Sequence, residues 1–127
     1  MKYLLDTHTV LWLTSNPDFL TGKVKDEILN PQNIKYVSIA SAWELAIKMN
    51  IGKFRLNGGI SEFYKMVEDN GFVWLNLKKD YISILQNLEH HHKDPFDRLL
   101  ISTAISEQMT IISADENIRL YNVNWIW

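Results

Sequence analysis

"IKYVSIASAWELAIKMNIG", residues 34–52, changes character partway along. Its first six residues form a strand-length apolar run, while "SAWELAIKMN" (41–50) is helical in pattern and ends near Gly52. A strand feeding a helix is half of a parallel crossover, and the same order recurs on both sides. Upstream, "KYLL" (2–5) reads as a strand followed by a helix from about Thr7 to Leu13. "TGKVKDEILN" (21–30) is amphipathic and stops before Pro31, because a residue preceding proline disfavours the α region. Downstream, "NGG" (57–59) marks a loop, "SEFYKMVEDN" (61–70) a helix closed by Gly71, "FVWLNL" (72–77) a third strand and "DYISILQNLE" (80–89) another helix. A helix from Pro95 to about Gln108, a fourth strand "TIIS" (110–113), a short helix "ENIRLY" (116–121) and a candidate fifth strand "VNWI" (123–126) complete the chain. This alternation predicts one α/β domain over residues 1–127, with a mainly parallel central sheet flanked by helices. In open parallel sheets, sites form beyond the carboxyl ends of the strands.

Composition narrows the function classes. With 127 residues, 46% hydrophobic and 22% charged, the chain has the length and balance to bury a core without staples. The absence of cysteine excludes thiolate metal sites, redox pairs and a disulfide framework. The apolar start "LLDTHTVLW" is too short and interrupted for a signal segment or membrane span, so a cytoplasmic protein is expected. A formal net charge of −2 means that any nucleic-acid partner requires a local basic patch rather than a global field.

Four acids stand where that fold rule directs attention: Asp6 after the first strand, Glu44 in the helix after the second, Asp97 in the first turn of the late helix, and Asp115 after the fourth strand. Each has an innocent explanation. Asp6 and Asp115 precede helical stretches, where aspartate is a favoured N-cap. Ser41-Ala42-Trp43-Glu44 fits a capping box. Asp94-Pro95-Phe96-Asp97 fits an N-cap, a first-turn proline and an acid favoured by the helix dipole. Caps scatter without needing to meet, however, whereas a catalytic cluster must converge, and three of these acids belong to one predicted sheet edge. Asp94 fits the cap best and is expected to point away from the site.

Convergence has an energetic consequence. Four ionised carboxylates about 5 Å apart repel by on the order of 20 kcal/mol in total at an effective dielectric of ~20. A domain's net stability is only about 5–15 kcal/mol, so either protons or a divalent cation must relieve the cluster. Oxygen-only ligands select hard ions, which makes Mg2+, or Mn2+, the expected cofactor. No nucleophile elbow, Walker loop or dinucleotide fingerprint competes, leaving metal-assisted hydrolysis by water as the simplest chemistry.

Other residues carry weaker signals. His90-His91-His92 is poor zinc spacing, since adjacent side chains diverge, and reads as a solvated loop. His8 is either a water-ordering neighbour of Asp6 or an ordinary surface residue. Lys48 lies four residues after Glu44, the spacing of a helical ion pair, with phosphate contact as the alternative. Arg98, Lys53 and Arg55 are either contacts for a nucleic-acid backbone or scattered surface charge. The five tryptophans suit core packing or base stacking, and Trp125 and Trp127 are candidates to cover a neighbouring subunit.

Taken together, "LLDTHTVLW" (4–12), "SAWELAIK" (41–48), "HKDPFDRLLISTA" (92–104) and "IISADENI" (111–118) resemble the PIN-domain family, and within it the VapC-type toxins of bacterial toxin–antitoxin pairs. The first and third segments are the specific ones; the last departs from the threonine that often precedes the final acid. The resemblance places the family's acidic quartet on Asp6, Glu44, Asp97 and Asp115, with Asp6 and Asp97 at the principal metal positions. It implies Mg2+- or Mn2+-dependent cleavage of RNA, a homodimer, and a separately encoded antitoxin that blocks the active edge and, with the toxin, binds operator DNA. Two rival readings remain at this point: a receiver-like phospho-acceptor module, which usually carries paired acids after its first strand, and a PIN-domain DNA nuclease, since carboxylates and magnesium do not read a 2′-hydroxyl.

Overall fold

The computed structural model describes all 127 residues. In chain order the elements are β1 (Lys2–Leu5), α1 (Thr7–Ser15), α2 (Gly22–Leu29), β2 (Ile34–Ser38), α3 (Ile39–Asn50), α4 (Ile60–Asp69), β3 (Val73–Leu75), α5 (Lys79–Gln86), α6 (Pro95–Glu107), β4 (Thr110–Ile112) and β5 (Trp125–Ile126), with short 3-10 turns at Pro17–Phe19 and Glu116–Leu120. The five strands form one sheet in the order β3-β2-β1-β4-β5, and every neighbouring pair is parallel.

The central strands are apolar on both faces because helices cover both. Tyr3, Leu5, Val37 and Ile112 point into a cluster with Val10, Leu11, Val24, Ile28, Leu45, Phe63 and Val67, residues of α1, α2, α3 and α4. Leu4 and Ile111 point the opposite way, onto Leu100, Ile101 and Ala104 of α6. The alternation is the two-residue period of a pleated strand.

Local signals set the element ends. Thr21 caps α2, its hydroxyl accepting from the Val24 amide at 3.2 Å. After α4, Gly71 takes a left-handed φ of 71°, and the amides of Gly71 and Phe72 bond back to Glu68 and Val67, closing the helix as a Schellman motif. The second crossover departs from expectation. β2 stops at Ser38, and α3 starts at Ile39 with the Ser38 hydroxyl accepting from Ala40 N at 3.1 Å. The capping box read at Ser41–Glu44 therefore does not form: Ser38, one turn earlier, takes the cap and Glu44 falls well inside the helix.

The strand order places a topological switch between β1 and β4. From β1 the chain steps outward through β2 and β3, then returns to add β4 on the other side. The Asp6 amide donates to Ile112 O across this boundary at 3.0 Å. Ligand crevices open at such points.

Candidate active site at the carboxyl ends of β1 and β4

Asp6 leaves β1 at the switch. It occupies the position before α1 yet makes no side-chain capping bond; Oδ2 accepts from the Ser113 hydroxyl at 2.7 Å, and the residue lines the cleft. Ser113 is fully buried at the end of β4 and also accepts the Asp115 amide at 3.0 Å, so one hydroxyl joins the two strand ends. Glu44 comes from the middle of α3, where both its oxygens are engaged: Oε1 accepts from Thr7 Oγ1 at 2.9 Å and Oε2 from Lys48 Nζ at 3.1 Å. Lys48 thus makes the helical ion pair its spacing allows.

Asp94 caps α6, accepting from the amides of Phe96 and Asp97 at 2.8 and 3.2 Å. That leaves Asp97 free to project from the first turn, where neither carboxylate oxygen accepts a hydrogen bond; its nearest cationic-type neighbour is His92, with Nε2 3.3 Å from Oδ2. Asp115 caps the following 3-10 turn through Oδ1, which accepts from Asn117 N at 2.9 Å, while Oδ2 takes a 2.5 Å bond from His92 Nε2.

All four predicted acids meet. Asp6, Glu44, Asp97 and Asp115 line a single cleft of about 350 Å³ together with His8, Trp12, Lys48, Asp94 and Ala114. Asp94 is consequently not turned away from the site as its capping role suggested; it does both. Five carboxylates face one lysine. The imbalance registers in the acidities. Burial pushes the Asp97 carboxyl up to about 7, reinforced by the charges of Asp6, Asp94 and Glu44 and opposed by His92. Burial likewise raises Asp6, with the Ser113 hydroxyl working against it.

The bonding pattern divides the acids. Glu44 and Asp115 are held at both oxygens by protein donors, while Asp6 keeps one oxygen and Asp97 keeps both without a protein hydrogen bond. Hard divalent ions are bound by such partly desolvated, cation-starved oxygen sets, so the residues fit a magnesium-class ion.

Residue by residue, other expectations resolve. His90 and His91 are exposed, as a solvated loop requires, but His92 is half-buried against Asp97 and Asp115, whose ligand-type atoms lie within 4.8 Å of one another. Its involvement was hidden in the run of three, although it opens the segment "HKDPFDRLLISTA" on which the family resemblance rests. His8 is exposed on the cleft wall, its ring 5.5 Å from that of Trp12. Arg98 is buried and contacts no cleft residue: its guanidinium donates to the carbonyls of Leu88 and Glu89 at 3.1 and 2.8 Å and to the Tyr121 hydroxyl at 3.2 Å, tying down the histidine loop. Lys53 and Arg55 are exposed surface charges. Trp125 and Trp127 pack within their own chain, Trp125 donating to Ser113 O at 2.7 Å and Trp127 lying edge-on to Trp12. Trp43 behaves differently from the other tryptophans: it is 56% exposed, edge-on to Phe96, which lines the crevice beside Asp6, Glu44 and Asp97.

Known proteins can now be set beside this geometry. No curated protein matches the chain in sequence. Among solved structures, the chain is similar to VapBC2 from Rickettsia felis bound to a DNA fragment from their promoter, with a TM-score of 0.75, 15% identity, and 100% of this chain and 99% of that one covered. It is similar to VapBC-1 from nontypeable Haemophilus influenzae at a TM-score of 0.74 and 18% identity, covering 99% and 97% of the two chains. A toxin–antitoxin complex from Klebsiella pneumoniae follows at 0.63 and 17%, covering 98% and 96%. At these identities the likeness is one of fold. The model of the PIN domain matches residues 3–124, nearly the whole chain. The chain therefore belongs to the PIN-domain family.

Proposed function

We propose that the protein is a divalent-cation-dependent endoribonuclease, the VapC-type toxin of a toxin–antitoxin pair acting in the cytoplasm. The observation that carries this reading is the convergence of five carboxylates on one lysine at the sheet's switch point, with two of the acids left without full protein partners. Mg2+, or Mn2+, is the cofactor this oxygen set suits, and when bound it supplies the Lewis acidity that phosphodiester hydrolysis needs. Asp6 and Asp97, with oxygens free of protein donors, would hold the ion. Glu44 and Asp115, each immobilised at both oxygens, retain acceptor capacity toward the cleft, and that fits them to orient the attacking water and take up its proton. Lys48, paired with Glu44 at 3.1 Å, is the cation that the cleft offers to a substrate phosphate. Exposed Trp43, at the rim, offers a face on which an unpaired base can stack.

The partnership rests on the company the fold keeps: three of the structural neighbours are VapBC or toxin–antitoxin complexes, one of them with promoter DNA. On this reading the chain forms a homodimer, is neutralised by a cognate antitoxin, and contacts operator DNA only within that complex. A receiver-like module is not favoured, because Asp6 is single and the strand ends supply a cluster rather than one acceptor.

The deciding experiment incubates purified protein with structured RNA and with DNA of matching sequence, in magnesium and in EDTA. RNA cleavage that needs the ion, is lost in Asp6→Asn, and spares DNA is the expected result. Ion-independent cleavage, or full activity of Asp6→Asn, sinks the proposal, and cleavage of DNA alone moves it to the rival nuclease class.

A further inference from the structure

The loop before α6 is fixed far more tightly than a solvated histidine run needs. The Tyr121 hydroxyl accepts from the amides of His91 and His92 at 2.9 and 2.8 Å, and Arg98 clamps the carbonyls of Leu88 and Glu89. Both ends of the His92 ring are then committed. Nδ1 accepts the Asp94 amide at 3.1 Å, so the hydrogen-bond network assigns the ring proton to Nε2. That single N–H reaches Asp115 Oδ2 and lies 3.3 Å from Asp97 Oδ2. A ring whose Nδ1 lone pair is taken and whose Nε2 carries hydrogen has no lone pair left for a metal, although the three side chains lie close enough to mimic a ligand set.

We propose that His92 is a positioning residue: its Nε2–H, bonded to Asp115 and 3.3 Å from Asp97, holds the two carboxylates beside each other for a divalent cation without ligating the cation itself. The inference rests on the metal-site reading above. The logic is that of other ligand-supporting hydrogen bonds, which fix the orientation of a carboxylate before the ion arrives. Asp97 sits in the first turn of α6 and Asp115 at the end of β4, elements that share no hydrogen bond at this point, so the imidazole is the link between them. The same amide of Asp94 whose side chain caps α6 orients the ring, which makes helix start and carboxylate bridge one unit.

The test measures Mn2+ binding by calorimetry for the wild-type protein, His92→Gln and His92→Phe, with Mn2+ electron spin-echo spectra of the same samples. His92→Gln retains an amide donor near the Nε2 position; His92→Phe keeps the shape without the donor, and thermal melts of both report folding. The expected result is Mn2+ affinity about tenfold weaker in His92→Phe and within about threefold of wild type in His92→Gln. The wild-type spectrum is expected to lack the 14N coupling of a directly bound imidazole. Unchanged or tighter binding by a folded His92→Phe, a failure of His92→Gln to recover affinity, or a bound-imidazole coupling each overturns the role assigned to His92 while leaving the metal site standing. Absence of Mn2+ binding by the wild type overturns the metal site and this inference with it.

Discussion

Replacing Asp97 with asparagine should stabilise the ion-free protein while abolishing its cation binding, and the size of the gain follows from the site. The Asp97 carboxyl titrates at about 7 against an ordinary value of 3.8, because burial and the charges of Asp6, Asp94 and Glu44 disfavour its ionised form. For an acid raised in the folded state, the native protein holds a proton that the unfolded chain has released. Stability therefore falls as pH rises from about 4 to 7 and stays low above that window. The difference between about 7 and 3.8 corresponds to roughly 4 kcal/mol, and some relaxation of the site brings the expected gain for Asp97→Asn at pH 8.5 to ~2–4 kcal/mol. For a domain of 127 residues that is roughly 7–15 °C in melting temperature.

Urea unfolding followed by tryptophan fluorescence in EDTA measures this directly. At pH 8.5 the variant should show the higher midpoint, and by pH 4.5, where folded wild-type Asp97 is protonated, the gap should narrow to about 1 kcal/mol. Magnesium at a thousand times its dissociation constant should erase or reverse the ranking, because it stabilises only a protein that binds it, by about 4.1 kcal/mol. If Asp97→Asn is no more stable than wild type at pH 8.5, or is equally more stable at both pH values, the picture of a repelled, cation-starved carboxylate is wrong.

Three further predictions use the same measurements. Ser113→Ala removes a fully buried hydroxyl that donates to Asp6 and accepts from Asp115 N, and should cost about 1–3 kcal/mol in urea while weakening Mn2+ binding. Tyr121→Phe leaves the amides of His91 and His92 without their acceptor, with a similar ~1–3 kcal/mol cost; faster hydrogen exchange should appear in residues 88–92 before it appears in β1, and a uniform acceleration would contradict the clamp. Trp43→Ala, at a 56% exposed position, should change stability by less than ~0.5 kcal/mol yet raise KM for RNA about tenfold with kcat retained, since base stacking is worth about 1–3 kcal/mol; an unchanged KM removes Trp43 from the substrate path.

Periodicity and breakers made the strand–helix order legible, because in a doubly covered parallel sheet the strands are short apolar runs and the helices between them amphipathic. The boundary at Ser38 was misplaced for a specific reason. "SIAS" carries two serines three residues apart, either able to cap, and only the pairing of Ser38 with Leu75 on β3 marks where the strand ends. Asp94 and Arg98 show the opposite limit. A cap position is local and readable, but whether a capping side chain also borders a cleft depends on where α6 docks. The burial of Arg98 depends on carbonyls ten residues away that no local pattern announces. The role of His92 was illegible for the same reason: its partners stand on α6 and beyond β4, one of them 23 residues along the chain.

The distinction between caps and a reactive cluster, open from sequence alone, turns on what each oxygen touches. A structural cap is satisfied by the amides it serves, as Asp94 is by Phe96 and Asp97, and Asp115 is in part by Asn117. Asp6, at the N-cap of α1, and Asp97, in the first turn of α6, make no side-chain capping bond, and both are pushed toward neutrality by burial. Substituting Asp97 with a neutral isostere should improve the ion-free fold, so folding gives no reason for its charge. Yet the rest of the site is arranged around these acids: a buried serine on Asp6, a threonine and a lysine on Glu44, an imidazole between Asp97 and Asp115. Donors placed to steady acids that destabilise the chain make physical sense when a cation completes the set, which is why the stability of Asp97→Asn without an ion is a sharper test of function than its loss of activity.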